Sequence, residues 1–123
     1  DKDGECALVA LDWQALFQGK AMVDVAYYIT HIMTVDARRA HERALIDTYL
    51  DELSDRDVDY PVKAALADYR TALAYLLCYA VWICGINVVE HPRAITRKQQ
   101  LMKRVSSSVA DWQLADMLPF VRT

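Results

Sequence analysis

The 123 residues suffice for one domain, since a chain of this length buries roughly two thirds of its surface on folding. Fourteen basic and 17 acidic residues give a net charge of -3, so there is no overall positive field to attract nucleic acid. The three cysteines, Cys6, Cys78 and Cys84, are odd in number, lack a CxxC pair and lie in apolar surroundings. We therefore expect buried free thiols, a reducing compartment and a cytoplasmic protein without nucleic-acid partners.

The first predicted element is a β-strand. Residues 1–5 (DKDGE) contain the Asp and Gly typical of a hairpin loop, so this strand is expected to pair with one before Asp1. Residues 6–12 (CALVALD) are apolar almost without alternation, which suits a strand covered on both faces.

Two acids stand at element boundaries on either side of a linker that contains Gly19. Asp12 ends the strand, and Asp24 opens the next segment. A rigid strand can project a carboxylate into a cleft. From the residues alone, the structural interpretation is favoured, in which Asp12 starts a turn and Asp24 stabilises a helix N-terminus.

Two helices are predicted after residue 22. The first has apolar residues at helical spacing, namely Val25, Tyr28, Ile29 and Ile32. The second is capped by Thr34 or Asp36 and runs to about Leu53 as an amphipathic surface helix. Its apolar face consists of Leu45, Ile46, Tyr49, Leu50 and Leu53. Its solvent face consists of Arg38, Arg39, Glu42, Arg43 and Asp47.

The third predicted helix starts at Pro61, which suits a first helical turn, and runs to about Val89. Residues 72–89 contain no charge, which is just long enough for a membrane span. Gly85, Asn87 and the even spread of aromatic residues argue against a span. We therefore expect a central helix packed on most sides, and no membrane partner.

A fourth helix is predicted over residues 93–107, with Leu101 and Val105 facing inward. Its basic side chains, expected to form a solvated outer face, are Arg93, Arg97, Lys98, Lys103 and Arg104. Ser108 and Asp111 have the spacing of a capping box, which predicts a short closing helix ending at Pro119.

The histidines and glycines offer no familiar site. His31, His41 and His91 share no metal-ligand spacing with each other or with the cysteines. His31 lies in an apolar helix, where a hydrogen-bonded core histidine is expected. The three glycines are too few for a glycine-rich phosphate loop in this chain.

Residues 8–29, LVALDWQALFQGKAMVDVAYYI, resemble the segment that follows the catalytic loop in the aminoglycoside phosphotransferase and choline kinase-like superfamily. The shared pattern is an apolar strand, Asp-Trp or Asp-Phe, a Gly-containing linker, and Asp-hydrophobic-Ala-Tyr opening a helix. The Asp-Trp-Gln form is most similar to the bacterial phosphotransferase and ecdysteroid kinase-like branch. The resemblance implies a mainly α fold, the helical C-terminal lobe of a protein-kinase-like enzyme with one N-terminal β-strand or hairpin. Residues 1–21 would then be the metal-binding strand and linker, and residues 22–118 the helical subdomain.

The resemblance also implies a function, that of an ATP-dependent small-molecule kinase transferring the γ-phosphate to a substrate hydroxyl. Asp12 matches the Mg²⁺-binding aspartate, and Asp24 matches a structural aspartate that braces the catalytic loop. That loop, with its general base, and the nucleotide-binding N-terminal lobe are expected upstream of Asp1, so the 123 residues alone are expected not to transfer phosphate.

The acceptor-binding residues and the function class stay open at this point. Conceivable acceptor-lining residues on the long helix are Asp68, Tyr69, Tyr75 and Tyr79, although packing and surface roles are commoner for such residues. One alternative function is a non-catalytic kinase-like binding or regulatory module. Another is a membrane-associated helical protein centred on residues 72–89.

Overall fold

The computed structural model describes residues 18–86 and 91–117, and this part of the chain is helical. It comprises α1 (Met22–Ile32), α2 (Val35–Ser54), α3 (Val62–Ile86), α4 (Pro92–Asp111) and a 3₁₀-helix (Leu114–Met117). No strand occurs in these two ranges, which confirms the mainly α prediction. The predicted strand over residues 6–12 lies outside them.

Helices α1 and α3 run in the same direction and pack extensively on each other. Lys20, just before α1, contacts Asp68 in the first half of α3, and Tyr27 further along α1 contacts Tyr79 in the second half. Helix α4 runs antiparallel to α3, because Lys98 donates to the Cys84 carbonyl at one end. At the other end Arg70 donates to the carbonyl of Gln113, which follows α4. The arrangement is a small helical bundle centred on α3.

The core lies between α1, α2 and α3 and is closed by the 3₁₀-helix. Its buried members are Met22, Ala26, Ile29, Ile46, Leu50, Ala65, Tyr69, Ala72, Leu73, Leu76 and Leu114. Small alanines on α1 and α3 let the two helices approach closely. The helix prediction for α1 is confirmed, but its buried face also uses Met22 and Ala26, whereas Tyr28 and Ile32 are 56% and 58% exposed.

Helix α2 begins as predicted. The Thr34 hydroxyl accepts a hydrogen bond from the backbone N–H of Ala37 at 3.3 Å, so Thr34 is the cap. The helix ends at Ser54, one residue beyond the predicted boundary.

Helix α3 is less enclosed than predicted. Pro61 precedes its first residue, and the described part of the helix ends at Ile86. In its most apolar 18-residue window only 28% of the residues are buried, so the expectation of a helix packed on most sides is wrong. Cys78 and Cys84 are free, but Cys78 is exposed and Cys84 half-buried. By length and composition α3 could cross a membrane, a criterion that core helices of soluble proteins also meet.

Helix α4 is longer than predicted and replaces the closing helix. The ring Nδ1 of His91 caps it by accepting from the backbone N–H of Arg93 at 3.2 Å, and Pro92 occupies the first turn. Ser108 does not start a new helix, because it is buried within α4 and donates to the Arg104 carbonyl. The helix therefore continues to Asp111, and the 3₁₀-helix follows.

The inward side of α4 is as predicted, with Val105 buried and Leu101 half-buried. The prediction of a solvated basic face on α4 is only partly correct. Lys98 donates to the Cys84 carbonyl at 3.1 Å, and Arg104 donates to the carbonyl of His31 at 2.6 Å. Both side chains are half-buried, so they hold α4 against α3 and the C-terminal end of α1.

Candidate functional site

Of the two acids singled out by the resemblance, Asp24 lies within the described residues and Asp12 does not. Asp12 lies outside the described residues, so its metal role stays a prediction. Asp24 lies exposed in the first turn of α1, and its carboxylate has no hydrogen bond or ion pair with a described residue. A negative charge there interacts favourably with the helix dipole. The position fits both interpretations of Asp24, and its contact with a catalytic loop stays a prediction.

The start of α1 is fastened to α3 by a polar cluster. The Tyr60 hydroxyl donates to Asp68 Oδ2 at 2.7 Å, and Lys20 Nζ lies 3.1 Å from the same oxygen. The Tyr60 hydroxyl, and then Lys20, lower the pKa of Asp68, while burial raises the pKa of Tyr60. Asp68 is therefore ionised and pairs with Lys20, which precedes α1. Its carboxylate is already occupied, which weakens its case as an acceptor-lining residue.

An aromatic strip, defined as Tyr27, His31, Tyr75, Tyr79 and Trp82, crosses α1 and α3. Tyr27 stacks on His31 with ring centroids 4.0 Å apart, and Tyr79 lies 6.4 Å from each of them. Tyr75 and Trp82 extend the strip from Tyr79 at 6.4 Å and 6.0 Å and are 50% and 56% exposed. Two of the candidate acceptor-lining residues, Tyr75 and Tyr79, therefore share one partly exposed surface.

His31 has one ring nitrogen bonded and one unpartnered. Thr30 donates its hydroxyl proton to the Ala26 carbonyl at 2.7 Å, so its oxygen accepts from His31 Nδ1 at 3.0 Å. This assigns the proton of the neutral ring to Nδ1 and leaves Nε2 an acceptor, buried and without a partner among the described residues. Burial lowers the pKa of His31, and the nearby Arg104 charge adds to this effect. The predicted hydrogen bond is present, but the ring is half-buried at the edge of the aromatic strip.

A buried polar network, which the sequence did not predict, joins α2, α3 and the end of α4. Arg38 donates to Glu42 Oε2 at 2.9 Å and also contacts Asp111. Glu42 further accepts from the Tyr69 hydroxyl at 2.7 Å and from Trp112 Nε1 at 3.0 Å. Arg38 is 2% exposed and Glu42 9%. Both were expected on the solvent face of α2, and Tyr69 was a candidate acceptor-lining residue. Their role here is to hold three helices together.

Asp111 connects this network to solvent. Arg39 binds both of its carboxylate oxygens, at 2.8 Å and 3.0 Å, and Arg38 contacts it from the buried side. Hydrogen bonds from Arg39 and Arg38 lower the pKa of Asp111 to about 2, against a smaller opposing effect of partial burial. The capping-box role predicted for Asp111 is therefore replaced by an ion pair between distant parts of the chain.

We predict that Asp111→Asn reduces stability in a pH-dependent way. The pKa of Asp111 is lower in the folded chain than its ordinary value of 3.8, so its contribution is present above about pH 4. That contribution is lost as the pH falls towards 2, where the carboxylate protonates. The variant should lose about 1 to 2 kcal/mol at neutral pH and little at pH 2, since charged hydrogen bonds at partly exposed sites are of this order.

The measurement is the free energy of urea unfolding as a function of pH. Asp116→Asn is the matched control, because Asp116 is an exposed acid in the adjacent 3₁₀-helix. Equal pH profiles for the wild-type and Asp111→Asn chains would show that the ion pair contributes nothing to stability.

Residues 1–58 match the model of the ecdysteroid kinase-like family, which confirms the resemblance. The matched segment contains Asp12, α1 and α2 and ends before α3. No curated protein and no solved structure matches the chain. The family suggests a kinase-like phosphotransfer function.

Proposed function

We propose that this chain is part of an ATP-dependent small-molecule kinase that transfers the γ-phosphate of ATP to a substrate hydroxyl. The observation that carries the proposal is the family match over residues 1–58, which includes both Asp12 and Asp24. The mainly α architecture agrees with a helical C-terminal lobe. The catalytic loop with the general base and the nucleotide-binding lobe would be supplied by other parts of the protein.

In this proposal Asp12 holds Mg²⁺. A carboxylate suits the ion, because Mg²⁺ prefers hard oxygen ligands and binds through one or two carboxylates together with phosphate oxygens. No group of three His, Cys, Asp or Glu side chains that could hold a metal occurs within residues 18–86 and 91–117. The remaining ligands would therefore come from the nucleotide and from outside these ranges. When bound, Mg²⁺ neutralises charge on the phosphates.

The described residues would position Asp12 and the catalytic loop. The exposed Asp24 carboxylate has no described partner and is available to accept hydrogen bonds from the backbone of that loop. Lys20, eight residues after Asp12, is fixed to α3 through Asp68. This contact places the residue two positions before α1 against α3.

The proposal is tested by phosphate transfer from ATP to a panel of small hydroxyl compounds, including sugars, amino alcohols, aminoglycosides and sterols. The protein used must contain these 123 residues with the catalytic loop and the nucleotide-binding lobe. We expect Mg²⁺-dependent release of ADP that requires an acceptor. ATP binding without turnover across the whole panel would instead support the non-catalytic kinase-like module.

A further inference from the structure

The ends of α3 and α4 form a projecting pair of helices. We call residues 81–86 and 91–100 the α3–α4 tip. No residue of the tip is buried, in contrast to the preceding part of α3, where Leu73, Leu76 and Ala80 are all buried. Helix α1 ends at Ile32, one residue after the His31 ring that contacts Tyr79. The packing of α1 against α3 is therefore missing from the tip.

The exposed surface of the tip is unusually apolar. Val81, Trp82 and Ile86 are 55%, 56% and 55% exposed, and Ile95 on α4 is 43% exposed. Scattered exposed apolar side chains are ordinary on a protein surface, but several large ones on one projecting end indicate a contact surface. Trp82 also continues into the aromatic strip through Tyr79.

The same end carries positive charge. Within the described part of the tip there are three basic residues, Arg93, Arg97 and Lys98, and no acid. The linking residues 87–90 add one acid, Glu90, so residues 81–100 have a net charge of +2 in a chain whose net charge is -3. Lys98 is used inside the helix pair, whereas Arg93 and Arg97 are exposed and make no ion pair with a described residue.

We propose that the α3–α4 tip docks on an anionic lipid surface. Tryptophan and aliphatic side chains enter the boundary between headgroups and acyl chains, and arginines bind lipid phosphates, so the tip combines the two interactions that peripheral membrane binding needs. Its positive charge complements a surface that would repel the rest of this acidic chain. This departs from the absence of a membrane partner expected from the sequence.

The docking is peripheral and does not require α3 to span the bilayer. The part of α3 that precedes the tip supplies the buried core residues Tyr69, Leu73 and Leu76. Moving the helix into lipid would remove these side chains from their packing partners, whereas the tip can contact a surface with the bundle intact. The inference does not depend on the proposed kinase activity.

The test is co-sedimentation of the purified chain with phosphatidylcholine vesicles, with and without phosphatidylserine. We expect binding to the anionic vesicles, with weaker binding at high salt. Tryptophan emission should shift to shorter wavelength on binding, and Trp82→Phe should remove that shift, although Trp13 and Trp112 are retained.

Two matched pairs of variants locate the contact. Arg97→Gln and Val81→Ser should each weaken binding about fivefold, since each removes one interaction of roughly that size. Lys63→Gln and Val62→Ser change exposed residues at the opposite end of α3 and should leave binding unchanged.

Three outcomes would overturn the proposal. They are no binding of the folded chain to anionic vesicles, equal binding to neutral vesicles, and equal effects of the variants at the two ends of α3. A dimer in sedimentation equilibrium that Val81→Ser dissociates would assign the tip to self-association instead. Circular dichroism of each variant shows whether a loss of binding reflects a loss of fold.

Discussion

Glu42→Ala is expected to destabilise the chain by about 3 to 5 kcal/mol, the loss typical of a broken buried ion pair. The Glu42 carboxylate accepts from Arg38, from the Tyr69 hydroxyl and from Trp112 Nε1. Alanine would leave these donors without their acceptor, and Arg38, 2% exposed, would keep a buried charge with only its Asp111 partner and a weaker contact to Ser107. The free energy of unfolding in urea measures the effect.

The same helix provides the control. Arg43 and Asp47 form an ion pair at the same four-residue spacing, but their side chains are 60% and 45% exposed, so Asp47→Ala should cost less than about 0.5 kcal/mol. A double variant, Arg38→Met with Glu42→Leu, should recover the part of the loss that comes from the unpaired Arg38 charge, because apolar side chains of similar volume often replace a buried ion pair without net cost. The part due to the Tyr69 hydroxyl and Trp112 Nε1 should remain, since both donors still lack their acceptor. A loss below about 1 kcal/mol for Glu42→Ala would contradict a stabilising role for the network.

The helix positions could be predicted from the sequence because their signals are local. Thr34 caps α2 as its hydroxyl and position predict, and Pro61 and Pro92 stand at or just before helix starts, where a missing N–H has no consequence. Apolar spacing likewise indicated α1. These features depend on neighbouring residues only, so no tertiary information was needed.

The buried network was missed because charge was taken as a sign of exposure. Arg38 and Glu42 continue the four-residue spacing of the buried Ile46 and Leu50 towards the N-terminus of α2. That spacing was the available signal, since four positions apart on a helix lie on one face. Their partners Tyr69, Asp111 and Trp112 are distant in the chain, so the sequence alone could not show that the charges would be paired.

The capping-box prediction at Ser108 failed for a related reason. The Ser108 and Asp111 spacing also occurs inside helices. Only the burial of Ser108 and the pairing of Asp111 with Arg38 and Arg39 show that the helix continues here and that no new helix starts.

The aromatic strip could be predicted only in part from the sequence. Tyr75, Tyr79 and Trp82 follow helical spacing on α3, but their contact with Tyr27 and His31 depends on how α1 packs.

The second large effect is expected for the proposed metal ligand. In the protein that contains this chain, Asp12→Asn should lower phosphate transfer at least about a thousandfold, the order expected when a group that stabilises transition-state charge is lost. Asparagine has nearly the same size but no negative charge, so Mg²⁺ binding should weaken while the fold is retained. Steady-state turnover with ATP and an accepted hydroxyl compound measures the rate.

Mg²⁺-dependent nucleotide binding provides a readout that is separate from turnover. It should be weakened in Asp12→Asn and unchanged in Asp59→Asn, which removes an exposed carboxylate in the connection between α2 and α3. Unfolding temperatures should agree among the wild-type protein and both variants, since asparagine keeps nearly the size and shape of aspartate at each position. Asp12→Asn with full Mg²⁺-dependent turnover would show that another residue holds the metal, and equal losses in both variants would indicate a general effect of charge.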